Sequence, residues 1–304
     1  MPQSKSILTN PFLLLTLTAL LWGGNAIAGK LASGHISPFL LTWLRWVGAC
    51  LILVIISRKH IKRDFEKIKQ HWVFLFLLGA FGFAIFNGLM YLALNHTSAI
   101  NVAIEQASMP LIVFVLNYLL FKTKVTAYQV IGFIITLIGV AVTVTRGNIF
   151  GLGEQPLNIG DIIMIVAITV YGIYSVLLKN KPDIHALSFL SVLGFAALIT
   201  TSFFVLYEIY SNTLLLPDAQ GWGVVLYAAI FPSVLAQLFW ILGLEQIGSN
   251  RGGLFINLVP IFGAMLAVLI LGEQFQTYHA IGLALVLGGI AFAQKQPPKL
   301  KGNL

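Results

Sequence analysis

The stretch Trp72-Val-Phe-Leu-Phe-Leu-Leu-Gly-Ala-Phe-Gly-Phe-Ala-Ile-Phe-Asn-Gly-Leu-Met-Tyr-Leu-Ala-Leu94 decides how this chain is built, because the chain carries it twice. Displaced by 150 residues, Trp72–Val140 lies over Trp222–Ile290 without a gap. Trp72, Phe81, Pro110, Tyr128, Gly132 and Gly139 meet identical residues at Trp222, Phe231, Pro260, Tyr278, Gly282 and Gly289. Identity is sparse but the register never slips, which marks an internal repeat. Each repeat unit holds five apolar spans. Five is odd, so the second copy must enter a bilayer from the opposite side. Inverted repeats of this kind are the mark of secondary transporters.

Composition requires the bilayer. Of 304 residues, 58% are hydrophobic and 9% charged, whereas a soluble domain carries about 25% charged residues. Ten spans are predicted, near 11–30, 38–57, 72–94, 98–121, 126–145, 159–178, 185–207, 221–245, 250–271 and 277–294. Each approaches the roughly 20 residues that cross a hydrocarbon core. Only the links 58–71 and 146–158 have any length, so no soluble domain is left to hold a separate active site. The expected fold is an all-α integral membrane protein of ten transmembrane helices in two inverted five-helix repeats. The first repeat is 1–145 and the second 159–294, with a linker at 146–158 and a cytoplasmic tail at 295–304.

The net charge of +8 belongs to topology rather than to nucleic acid. With the N-terminus inside, 15 of the 18 Lys and Arg residues fall on the cytoplasmic side, Lys30 and Arg146 fall outside, and Arg45 lies within a span. That asymmetry is the positive-inside rule and places both termini in the cytoplasm. The basic link 58–71 is expected to anchor beside anionic headgroups. Cys50, the single cysteine, sits in span 2 and excludes an intramolecular disulfide; it reads as a small apolar packing residue. The N-terminal run Phe12–Trp22 followed by Ala26-Ile-Ala28 imitates a cleaved signal peptide. Span 1 has a counterpart in span 6, however, where Gly23 meets Gly172 and Lys30 meets Lys179, and so belongs to the repeat.

An ionisable or amide side chain inside a span is a functional candidate because its burial is costly. Span 2 carries Arg45, span 4 carries Asn101, Glu105 and Gln106, span 1 Asn25, span 3 Asn87, span 8 Gln237 and span 9 Asn257. Arg45 and Glu105 each lie seven positions in from the outer ends of their spans, about 10 Å at 1.5 Å per residue. Matching depth allows them to pair. A role in transport, a structural lock between spans 2 and 4, and no contact at all are the readings open. Ser98, Asn101, Glu105 and Ser108 share one helical face, which will turn away from lipid. Pro110 and Pro260 stand at the same place in the two copies and predict a bend in both, suited to gating helices. Asn87 aligns with Gln237 and Met90 with Trp240. Amides offer donor and acceptor together to a polar ligand, and equally hold helices together in lipid. Asn25 aligns with Tyr174 on a third pair of faces, where aromatic surface and amides suit a small-molecule pocket as well as ordinary packing. Trp43, Trp46, Trp72 and Trp222 read as interfacial belt residues.

Enzymatic motifs fail on inspection. Gly24-Asn-Ala-Ile-Ala-Gly29-Lys30 imitates a phosphate loop but is followed by Leu31 and lies in an apolar helix. No HExxH and no Gly-x-Ser-x-Gly is present, and the six histidines have no metal-ligand spacing. No cofactor, metal or catalytic residue is therefore expected.

The run Ser249-Asn-Arg-Gly-Gly-Leu-Phe-Ile-Asn-Leu-Val-Pro260, with Leu271-Gly-Glu273, Ile281-Gly282 and Gly288-Gly289, closely resembles the EamA family of drug/metabolite transporters. Trp22-Gly-Gly-Asn25 and Arg45 resemble that family's first repeat. The resemblance implies a bacterial inner-membrane carrier, often an exporter of amino acids or related metabolites, working by alternating access. Spans 5 and 10 would then be peripheral to a central cavity that a monomer suffices to enclose. Lys122-Thr-Lys124 departs from the pattern in the first copy, so Glu273 is given no transport role. The residues expected to bind or pass the substrate are Asn25, Arg45, Asn87, Glu105, Tyr174, Gln237 and Trp240, with Pro110 and Pro260 as kinks. The expected partners are a small polar substrate and the bilayer, with protons as a further candidate on Glu105. An uptake carrier or a drug- or nucleoside-type exporter of the same fold is the alternative, and a non-transporting membrane protein the remote one.

Overall fold

Asn10 starts the first helix by accepting a hydrogen bond from the Phe12 amide at 2.9 Å, with Pro11 in the first helical position, where its missing N–H costs nothing. The computed structural model describes residues 10–122, 126–148 and 158–294. All regular structure among them is helical: α1 (Pro11–Ala32), α2 (Pro38–Gln70), α3 (Trp72–Gly79), α4 (Phe86–Leu94), α5 (Ala99–Ala107), α6 (Met109–Phe121), α7 (Ala127–Val144), α8 (Ile159–Leu177), α9 (Ala186–Tyr210), α10 (Ala219–Ile230), α11 (Ala236–Ile247), α12 (Ser249–Gly252), α13 (Leu258–Leu271) and α14 (Thr277–Ala293). Among the described residues, nine helical stretches are long and apolar enough to cross a membrane, and α14 is a shorter apolar helix of 17 residues. The protein is a multi-pass membrane protein.

Several spans are not simple rods. A π turn at Ala80–Ile85 joins α3 to α4, and a second at Phe231–Leu235 joins α10 to α11. The two lie one repeat offset apart. The fourth span breaks at Ser108, and Pro110 follows at the start of α6. The ninth passes through a 3-10 turn at Gly253–Asn257 before α13, with Pro260 in its first turn. Both prolines thus sit where a helix restarts, and there a missing donor is tolerated.

The link 58–71 is not a loop. α2 runs on to Gln70, 33 residues in all, and carries the basic residues as a helical extension. That extension is tied to the α8–α9 connection: Asp64 accepts from the His185 amide at 2.8 Å, and Lys67 Nζ donates to the Asp183 carbonyl at 2.8 Å. Trp46 is also corrected. It is buried, donates to the Phe83 carbonyl at 3.2 Å and stacks on Phe83, so it is core rather than belt. Trp43 is half-buried and donates to Ser202 Oγ at 2.9 Å, whereas Trp72 and Trp222 are exposed as a belt requires. Cys50 is buried.

The repeated glycines account for one seam. A methyl group on Gly132 would stand 2.4 Å from the Gly289 carbonyl oxygen, and one on Gly139 would stand 2.9 Å from that of Gly282. Rising numbers on α7 meet falling numbers on α14, so the helices run antiparallel. Between the two glycine pairs, Thr136 Oγ1 donates to the Val286 carbonyl at 3.3 Å. Thr136 and Val286 are themselves one offset of 150 apart, so equivalent residues meet face to face. Elsewhere α1 packs on α11 and α13 as α8 packs on α4 and α6.

The seam predicts the behaviour of two adjacent glycines. A methyl group at Gly289 would lie 2.3 Å from Thr136 Oγ1 and 2.6 Å from the Gly132 carbonyl, whereas one at Gly288 meets nothing within 4 Å. Gly289→Ala should cost about 1–3 kcal/mol by forcing α7 and α14 apart. Gly288→Ala should be neutral or slightly stabilising. Thermal unfolding of the two variants in detergent micelles measures the difference.

Candidate functional site

Arg45 enters the bundle on a well-anchored helix. The Glu208 carboxylate, at the far end of α9, accepts from Ser37 Oγ (2.7 Å), the Phe39 amide (3.0 Å) and the Leu40 amide (3.1 Å) and so caps α2. Two helical turns further in, Arg45 is 5% exposed. Its Nε donates to Ser233 Oγ at 2.5 Å, and its Nη1 reaches Asn87 Oδ1 at 2.6 Å, Tyr91 Oη at 2.8 Å and Asn25 Oδ1 at 3.3 Å. Tyr91 in turn donates to Asn25 Oδ1 at 2.7 Å. Every partner is neutral. Among the described residues Arg45 forms no ion pair, and its Nη2 has no hydrogen-bond partner.

The local chain makes this shell possible. In the first π turn the Phe83 carbonyl accepts from Asn87 Nδ2 (2.9 Å) and Trp46 Nε1, and Asn87 stands at the start of α4. The second contains Ser233, whose hydroxyl donates to the Ala228 carbonyl at 2.7 Å and accepts from Arg45. π turns of this type recur at functional sites because they re-aim side chains. The Trp-Gly-Gly-Asn run on α1 is equally readable. A methyl group on Gly23 would strike the backbone of α13 at 2.9 Å, and one on Gly24 would lie 2.3 Å from Tyr227 Oη. Two glycines thus let α1 approach closely enough for Asn25 to reach Arg45.

The other expected residues are placed as follows. Tyr174 is buried, packs on Phe83 and Tyr171, and lies flat over Gly82, where a methyl group would be 2.4 Å from its ring. Gln237 and Trp240 are half-buried on α11 and fall one and two turns beyond Ser233 on the same helical face. Trp240 packs on Trp22, with ring centroids 5.4 Å apart, and Trp22 Nε1 donates to the Pro232 carbonyl at 3.4 Å. Glu105 does not join Arg45. It is fully buried on α5, both its oxygens lack a hydrogen-bond partner, and the ionisable neighbour that acts on it is Asp161 of α8. Equal depth fixed only the position along the membrane normal, and Arg45 is already occupied by groups from α1, α4 and the second π turn.

A second polar cluster lies where α4 gives way to α5. Lys30 Nζ donates to the Leu94 and Thr97 carbonyls, both at 2.8 Å, satisfying the end of α4. Glu273 accepts from the Ala99 and Ile100 amides at 2.7 and 3.0 Å and caps α5. His279 Nδ1 accepts from the Gln276 amide, which leaves Nε2 to donate to Asn101 Oδ1 at 3.1 Å. Asn101 Nδ2 reaches Asp161 Oδ1 at 3.4 Å, and Thr97 Oγ1 donates to the same oxygen. A hollow of about 340 Å³ is lined by Lys30, Thr97, Asn101, Arg146 and His279 among others. At the surface His35 holds Asp218 at 2.7 Å, and this hydrogen bond keeps the Asp218 carboxyl below its ordinary range.

Sequence reasoning missed Tyr91, Ser233, Asp161 and Glu208. Tyr91 could have been found, since it follows Asn87 by one turn and shares its face. Asp161 and Glu208 lie at span ends, where an acid is expected to face water, yet both are buried.

A sequence profile of the EamA-like transporter family matches residues 10–145 and again 158–293. The chain belongs to the EamA-like transporter family. Among relatives, it is 27% identical over 290 residues to the uncharacterised transporter YyaM of Bacillus subtilis (strain 168), covering 93% of each chain. It is 28% identical over 287 residues to the uncharacterised transporter YetK of the same organism, covering 90% of this chain and 84% of YetK. An uncharacterised transporter of Archaeoglobus fulgidus is 28% identical, with 91% and 95% covered. A solved crystal structure superposes with a TM-score of 0.64 at 22% identity, covering 93% of this chain and 96% of that one, a likeness of fold.

The Arg45 shell of this EamA-like chain predicts an order of mutational effects. Tyr91→Phe removes one neutral partner of the guanidinium and should cost about 1 kcal/mol. Asn87→Leu removes the 2.6 Å acceptor and leaves a buried cation short of a partner, which should cost about 2–3 kcal/mol. Unfolding of the two variants in the same detergent tests the order.

Proposed function

We propose that this EamA-like protein is a secondary carrier that moves a small carboxylate-bearing metabolite, most simply an amino acid, outward across the bacterial inner membrane by alternating access. The observation that carries this reading is Arg45, a buried guanidinium with neutral partners, an unused Nη2 and no counter-ion among the described residues. A cation in an apolar bundle is costly unless an anion joins it. A substrate carboxylate meets that need and would bind a guanidinium edge by charge-assisted hydrogen bonds. Asn25 and Asn87 would serve the substrate's polar groups, with Tyr174, Gln237 and Trp240 as walls.

Alternating access needs two halves that exchange roles. The reading of 1–145 and 159–294 as inverted five-helix repeats is supported by the antiparallel α7–α14 seam, in which Thr136 meets its own counterpart Val286. It is also supported by the matched packing of α1 and α8. Such a face-to-face meeting of equivalent residues is what a two-fold axis in the membrane plane produces. The excess of Lys and Arg on one side supports cytoplasmic termini. Pro110 and Pro260 would be the bending points of the fourth and ninth spans.

The test is ligand binding to purified protein in nanodiscs, using amino acids, the corresponding decarboxylated amines and nucleosides. Wild-type protein should bind at least one amino acid and not its amine. Arg45→Gln should weaken that binding about 10- to 100-fold, the worth of a charge-assisted contact. Equal binding of amine and amino acid, with Arg45→Gln indifferent, would overturn the carboxylate reading in favour of a drug- or nucleoside-type cargo.

A further inference from the structure

Glu105 is left over when the Arg45 site has been accounted for. It is fully buried and neither carboxyl oxygen has a hydrogen-bond donor. The ionisable groups on the elements around α5 have been drawn elsewhere. Lys30 of α1 is on carbonyls, Tyr91 of α4 is on Arg45 and Asn25, and Glu273, beyond α13, is on the α5 amides. Of α14, His279 is on Asn101 and Tyr278 lines the outer hollow with Arg146, beyond α7. Tyr128 of α7 packs on Phe292, Tyr118 of α6 is exposed, and Tyr171 and Tyr174 of α8 pack on Phe86 and Phe83. α13 carries no ionisable residue. What remains is Asp161, the one charged neighbour that bears on Glu105; Arg146, which lines the outer hollow, bears in turn on Asp161.

Two carboxyls against each other in an apolar setting cannot both be ionised. Their helices decide which keeps the charge. Asp161 lies in the first turn of α8, where backbone amides and the helix dipole favour an anion, and it accepts from Thr97 and Asn101. Glu105 lies in the last turn of α5, among carbonyls, with no donor. We infer that Glu105 and Asp161 form a proton-binding carboxyl pair, with the proton on Glu105 and the negative charge on Asp161, that exchanges its proton with the outer face. Thr97 and Asn101 supply the route, since both bond Asp161 and both line the outer hollow. Loading moves one proton from outer water to Asp161 and neutralises the pair; release returns it to a single charge. No electron moves and no further reactant is needed. Coupling of that step to cargo movement rests on the transport reading above.

Infrared difference spectroscopy in nanodiscs examines the site without any cargo. Wild-type protein at neutral pH should show the carbonyl stretch of a protonated, water-excluded carboxyl, and Glu105→Gln should lose it. Asp161→Asn, which keeps Glu105, should retain that band but lose its change on acidification. A band unchanged by Glu105→Gln, or none in wild type, overturns the pair. Proteoliposome flux then examines coupling, with amino acids as cargo. The ratio of flux with a proton gradient to flux without one should exceed unity in wild type and fall to unity in Glu105→Gln, whatever the absolute rates. Stimulation by a sodium gradient instead would overturn the proton assignment. Absence of any wild-type flux alongside an intact band would sink the transport reading and leave the pair standing.

Discussion

A guanidinium inside an apolar bundle has to be solvated by the protein, and much of the central packing follows from that one requirement at Arg45. Four oxygen acceptors converge on it from three directions: Asn25 on α1, Asn87 and Tyr91 on α4, and Ser233 in the second π turn. Bringing α1 within reach demands Gly23 and Gly24, because side chains there would collide with α13 and Tyr227. Aiming Asn87 and Ser233 demands a widened turn in each of the two helices that flank α2. Glu208 fixes the entry of α2. A single buried charge thus explains glycines, π turns and a capping acid that look unrelated along the chain.

Around that centre the two halves agree in scaffold and differ in chemistry. The glycine pairs on α7 and α14 interlock reciprocally, and each π turn has a partner one offset away. Apart from the amides Asn87 and Gln237, the polar residues singled out in the spans are not shared. Arg45 falls opposite the apolar region of Leu193, Glu105 opposite Phe255, and Asn25 opposite Tyr174. Small residues and turns serve close approach of helices and are needed on both sides of an axis. A ligand with a head and a tail needs a site that breaks the symmetry, and Arg45 and Asn25 meet where α1, α2, α4 and the second π turn come together, whereas Glu105 lies apart on α5.

How much of this the sequence disclosed depends on what each signal measures. Apolar length marks the spans and the offset of 150 marks which residues recur, because both are properties of one dimension. Asn25, Arg45 and Asn87 stand out as polar residues in apolar runs, and all three meet. Depth along a span is also one-dimensional, so it left open whether Arg45 meets Glu105 and misplaced Trp46. Arg45 and Glu105 share a depth but face different neighbours, and Trp46 lies too deep and too inward for a belt residue. Ser233 escaped because an uncharged hydroxyl in a span bonds readily to the backbone of its own helix and so does not stand out, and Tyr91 was legible only by its one-turn spacing from Asn87. The helical extension to Gln70 escaped because a basic run without apolar periodicity reads as a link until Asp183 and His185 are seen to hold it.

The bundle ends with two unbalanced charges rather than one ion pair. Among the described residues Arg45 forms no ion pair, and neither does Glu105 or Asp161, although Arg146 acts on Asp161 from a distance. Direct pairing of Arg45 with Glu105 would neutralise both and leave a locked, inert core. Keeping them apart costs stability, because each imbalance must be carried by hydrogen bonds or by a proton. The separation makes physical sense if each group has a mobile partner of its own: a carboxylate that visits Arg45, and a proton that visits the acids through the outer hollow. On that view the missing salt bridge is what leaves the carrier free to exchange two ligands, one in the centre and one toward the outer face.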